Sequence, residues 1–150
     1  MEYKQVVDLE SRLISLLKEE YSFYQSLYIL LDKQMDLLKY DRDQKILSVY
    51  EEIQNIQKRI TDSEQKIAEL RNNNRKMFSL AATSPEVRKL VNSIATLIKK
   101  NLSMIKENEE FASDRYIRIK EELESLKNVK NLDHYMDTQS DKVRILDGRG

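Results

Sequence analysis

The sequence predicts an all-α protein: an elongated, antiparallel up-down-up bundle of three helices with coiled-coil packing, followed by a flexible C-terminal tail. Three observations carry that expectation. One proline and two glycines occur in 150 residues, where average usage would give the two types ~12% of the chain. Both residues punctuate turns, so too few turns are available for a sandwich, a barrel or a doubly wound domain. Apolar residues recur every seven positions over long segments, as on helices packed side by side. Charged residues make up 35% of the chain yet sum to zero, the mark of solvated helix faces.

The first helix is expected over residues 3–39. One apolar column holds Val6, Leu13 and Leu27, with Glu20 and Gln34 as polar interruptions. A second holds Leu9, Leu16, Phe23, Leu30 and Leu37, and a third Leu17, Tyr24, Leu31 and Leu38. Three columns per heptad make a stripe wide enough to touch two neighbours. Tyr24 is expected inside the bundle, with Tyr21 and Tyr28 at its margin, where a tyrosine can keep its hydroxyl wet.

A break follows at residues 40–44. Asp41 can cap the next helix with Gln44 reaching back, and Asp43 is a second candidate cap. The second helix is expected over 43–82 with a stricter, two-column heptad. One column is Ile46, Ile53, Ile60, Ile67, Asn74 and Ala81, and the other Val49, Ile56, Ser63, Leu70 and Met77. The 3.5-residue spacing implies left-handed coiled-coil packing. Ser63 and Asn74 interrupt the seam. Either they fix register as buried polar groups, or they lie near water where the bundle is loose.

Pro85 is the strongest punctuation. With Ser84 as cap it falls at the first helical position, where its missing N–H costs nothing. With Thr83 as cap, Glu86 completes a capping box. The third helix is expected over 85–130. Its columns are Val87 and Ile94, continued by Asn101 and Asn108, then Leu90, Leu97, Met104 and Phe111, then Val91, Ile98, Ile105 and Ala112. Beyond these the first two columns turn polar at Arg115, Arg118 and Glu122. Tyr116 and Leu123 take over one residue later, while Ile119 and Leu126 continue the third column. The stripe therefore swings by somewhat less than the ~100° that one residue represents, and Ile117 is left exposed. The swing is either a skip in a continuous bundle or an apolar face offered to something else. The bundle is thus placed in 1–130 and a mobile tail in 131–150, where periodicity ends and both glycines lie.

Chemistry is conspicuously missing. Without cysteine there is neither a disulfide nor a thiolate metal site, and a reducing, cytoplasmic compartment is expected. His134 is the only histidine, so a diiron Glu-x-x-His pair cannot form. No glycine precedes Gly148, which removes phosphate loops and nucleophile elbows. Adjacent acids such as Glu19-Glu20 or Glu121-Glu122 diverge on a helix and make no catalytic dyad. The expectation is a non-enzyme without metal or cofactor. Zero net charge argues against nucleic acid as a partner. The longest apolar run is Leu27 to Leu31, far short of the ~20 residues of a membrane span, and the first residues are no basic signal region. A soluble protein is expected, with no membrane insertion.

The first helix reads Leu13-x-x-Leu16-Leu17-x-x-Glu20-x-x-x-Tyr24-x-x-Leu27-x-x-Leu30-Leu31-x-x-Gln34, then Leu38 and Asp41. The third adds Leu97-Ile98-x-x-Asn101-Leu102, Asn108 and Phe111, and the chain ends Arg144-Ile145-Leu146-Asp147-Gly148-Arg149. This pattern resembles the FlgN-like family of bacterial flagellar export chaperones over nearly the whole chain. The resemblance implies a cytosolic chaperone that binds flagellar hook-associated (hook–filament junction) proteins through their terminal helices. It would deliver them to the flagellar type III export gate. In that family the client site is the C-terminal helical part, which here means Tyr116, Ile119, Leu123 and Leu126. A tyrosine just beyond is implicated in gate docking, and Tyr135 is the matching position. The competing reading is a structural coiled-coil homo-oligomer without a client, with weak self-association as a milder form.

Overall fold

The computed structural model describes residues 2–40 and 42–127. They form four α-helices: α1 (Glu2–Lys39), α2 (Asp43–Asn73), α3 (Arg75–Ala81) and α4 (Pro85–Lys127). The fold class is all-α, with no strand among the described residues. None of these helices is long and apolar enough to cross a membrane. The chain divides into two compact units, Met1–Asn108 and Glu109–Gly150, and α4 contributes to both. The expected tail at 131–150 and the last turn before residue 130 lie outside the described residues.

Helix α1 owes its length to its composition. It contains neither Gly nor Pro and is rich in Leu, Glu, Lys and Gln, all good helix formers. Its three columns turn inward together. Leu13, Leu17, Tyr24, Leu27, Leu31, Leu37 and Leu38 are buried, with Leu9, Leu16, Phe23 and Leu30 half-buried beside them. The helix closes on itself: the Tyr40 N–H donates to Asp36 O and the Arg42 N–H to Leu37 O, satisfying carbonyls that a helix end leaves open.

Helix α2 starts at Asp43, and Arg42 occupies the cap position with no side-chain cap hydrogen bond. Asp43 is thus the first helical residue rather than the cap. The cap position falls between the two candidate aspartates on an arginine, whose guanidinium has no acceptor to offer, and Asp41 lies outside the described residues. The seam of α2 is buried at Val49, Ile53, Ile60, Ser63 and Leu70.

The second segment is not one helix. It breaks at Asn74, whose backbone is extended at φ −157°, ψ 90°. The Asn74 Oδ1 accepts the Met77 N–H at 3.1 Å, so a residue expected inside a seam is an exposed N-cap. The cause is local. Asparagine competes for nearby backbone N–H groups, and three stand in a row at 72–74. Heptad phase survives the break, because Ala81, seven residues after Asn74, is 1% exposed.

Helix α4 begins at Pro85, immediately after Ser84. The Ser84 reading therefore applies, and the Thr83 capping box does not form: the Thr83 hydroxyl donates to Leu80 O instead. Within Met1–Asn108 one hydrophobic core joins Leu13, Leu17, Leu27 and Leu31 of α1 to Val49, Ile53 and Ile60 of α2. Ala81 of α3 and Val87 and Ile94 of α4 complete it. A Lys18–Glu86 ion pair at 3.6 Å lies on the surface with both side chains more than half exposed, a geometry that contributes little.

Candidate functional site

In α4, the most deeply buried column is the one that turns polar. Val87 and Ile94 are followed by Asn101 and Asn108, 2% and 4% exposed. Each asparagine reaches a main-chain carbonyl of α1. Asn101 Nδ2 donates to Tyr24 O at 3.2 Å. Asn108 Nδ2 donates to Leu31 O at 3.0 Å and to Gln34 Oε1 at 2.9 Å. Both carbonyl bonds span 77 residues, so seven residues along α4 match seven along α1. The two asparagines read one α1 register twice.

The polar groups of this core are only partly satisfied. Ser63 Oγ, Asn101 Oδ1 and Asn108 Oδ1 are buried without a hydrogen-bond partner among the described residues. Each carries a desolvation cost of the order of 1–3 kcal/mol. Ser63 is thus a buried polar group and not one near water.

Glu20 lies in the same core and is 7% exposed. Burial, with the Glu64 carboxylate adding repulsion, pushes its carboxyl up to about 7. The Tyr24 hydroxyl donates to Glu64 Oε1 at 3.0 Å. Burial, that bond and the nearby carboxylates hold the phenol above its usual range. No trio of acidic or imidazole groups able to hold a metal occurs among the described residues.

The residues implied as a client site fall in the second unit. Tyr116, Ile119 and Leu123 are half-buried, and Leu126 is 44% exposed. All four lie on α4, and their 3-4-3 spacing sets them along one side of the helix. Ile117 is exposed, as its position off the stripe requires. Arg118, Glu121, Glu122, Ser125 and Leu126 line an open depression on this stretch of α4. Tyr135 lies outside the described residues.

The buried asparagines and Glu20 were readable as interruptions of heptad columns, but not their partners. The asparagines' partners are two main-chain carbonyls, which leave no trace in side-chain spacing, and the Gln34 side chain on another helix. Compared with protein-family models, with curated proteins and with solved structures, the chain has no match in any of the three.

Proposed function

We propose that this protein is a cytosolic export chaperone of the FlgN-like kind. It binds the terminal helices of flagellar hook-associated proteins and hands them to the type III export gate. In this reading Met1–Asn108 is a three-helix, up-down-up bundle with coiled-coil packing, its middle member made of α2 and α3. The short connection between α1 and α2 favours antiparallel neighbours, and the constant 77-residue register suits α1 and α4 running the same way.

The observation that carries the functional reading is the change along α4. Up to Asn108 its buried column serves a core shared with α1 and α2. From Tyr116 a different set of apolar residues follows one side of the helix, ending in the exposed Leu126. An amphipathic helix of a client can lie along Tyr116, Ile119, Leu123 and Leu126, in the helix-in-groove manner. Such a site needs no chemistry, and a modest contact permits release. Tyr135, just beyond, is the residue proposed to meet the gate.

The homo-oligomer reading pairs a free apolar face with a second copy, and the strict heptad seam of the second helix is the feature that favours it. That seam is occupied within the chain, since Val49, Ile53, Ile60 and Leu70 lie in the same core as α1. Leu123→Asp places a charge in the proposed face. It is expected to abolish binding of hook-associated terminal fragments, measured by calorimetry, while the helical circular dichroism is kept. Normal binding by this variant sinks the proposed site.

A further inference from the structure

Within Met1–Asn108, side chains of α1, α2 and α4 surround a depression of about 260 Å³. Leu17, Ile67, Val91 and Ile94 supply apolar lining, and Glu20 and Glu64 supply two carboxylates. Three features of this place are unusual together. Glu20 is more than nine-tenths buried and makes no hydrogen bond or ion pair among the described residues. A carboxylate set into an apolar core without a partner is costly, and the Glu20 oxygens still reach the solvent of the depression. The second carboxylate raises that cost by repulsion. Val91 is 48% exposed beside it, so apolar lining is open to solvent.

Few polar or charged groups surround Glu20, and α4 supplies none of them. From α1 comes the Tyr24 hydroxyl, already committed to Glu64. From α2 come Glu64 and Arg71. Helix α4 contributes only Val91 and Ile94. Arg71 is exposed and pairs with neither carboxylate among the described residues.

We infer that this depression binds an aliphatic ammonium group, its stem against Leu17, Val91 and Ile94 and its charge between Glu20 and Glu64. An ammonium is a compact charge with three donors on a flexible stem, able to serve two carboxylates at once. The apolar lining suits the methylenes of that stem. A metal ion does not fit, because no third acidic or imidazole ligand is present among the described residues. The carboxyl of Glu20, poised at about 7, ionises readily when a cation arrives. The inference is independent of the export reading, whose face lies in Glu109–Gly150.

The test is a titration of the isotope-labelled full chain with n-butylammonium at pH 8, followed by methyl NMR, with n-butanol as the uncharged control. Saturable shifts confined to Leu17, Ile67, Val91 and Ile94 are expected. They should weaken at least fivefold in Glu20→Gln and at pH 5.5, where Glu20 is protonated. Arg71→Ala should bind equally or more tightly, because a competing cation is gone. Tighter binding of acetyl-lysine methylamide assigns the site to a protein lysine, and tighter binding of spermidine to a free polyamine; both uphold it. Equal binding of butanol, shifts scattered over surface carboxylates, or undiminished binding by a folded Glu20→Gln variant each overturn it.

Discussion

Glu20 shows how one residue can set a pH response for a whole core. Its carboxyl is held up to about 7 by burial and by Glu64, above the ~4.3 of a free glutamate. The folded chain therefore keeps the Glu20 proton more tightly than the unfolded chain does. By linkage, the stability this provides is fully present below the unfolded value and is lost as pH rises through about 7. Thermal melts of the wild type should fall from pH 5 to pH 8 relative to those of Glu20→Gln. The variant should be the more stable of the two at pH 8. Parallel curves for the two proteins would show that Glu20 does not govern the response. The sequence marked Glu20 only as a polar gap in a column of leucines. Glu64, whose carboxylate pushes the Glu20 carboxyl up further, sits on another helix, and no periodicity within α1 points there. The same holds for Asn101 and Asn108, whose positions follow from the heptad but whose acceptors belong to α1.

At the scale of elements, the heptad columns identified which faces go inward and missed where one helix stops. Leu17, Tyr24, Leu31 and Leu38 are all buried because a seven-residue repeat returns a side chain to nearly the same side of a helix. The start of α4 was legible for a related reason: proline tolerates only a few helical positions, and the first is the best of them. Asn74 was misread because its column continues unbroken to Ala81, and phase does not report a cap. Capping is a contest between a side-chain oxygen and the helix ladder, decided by a few tenths to two kcal/mol. Replacement by alanine separates the two causes of the break. If the Asn74 cap holds α3, Asn74→Ala costs about 1 kcal/mol of stability in urea unfolding. If poor helix propensity alone breaks the segment, alanine stabilises the protein instead.

At the scale of the whole molecule, one helix serves two units. The α4 residues up to Asn108 complete a core with three other helices, and those from Glu109 belong to a second unit. The sequence placed a single bundle in 1–130 and showed no division at Asn108; it showed only a swing of the apolar stripe near Arg115, a few residues beyond. It could not choose between a skip and a binding face, because both leave the same residues on the same side. The seam of α2 packs inside the chain, and the Tyr116–Leu126 stretch is the proposed meeting place for a client helix. Light scattering on the purified chain, alone and with a terminal-helix fragment of a flagellar hook-associated protein, tests this most directly. A monomer that forms a one-to-one complex is the predicted result. A stable dimer whose mass is unchanged by every such fragment would contradict it.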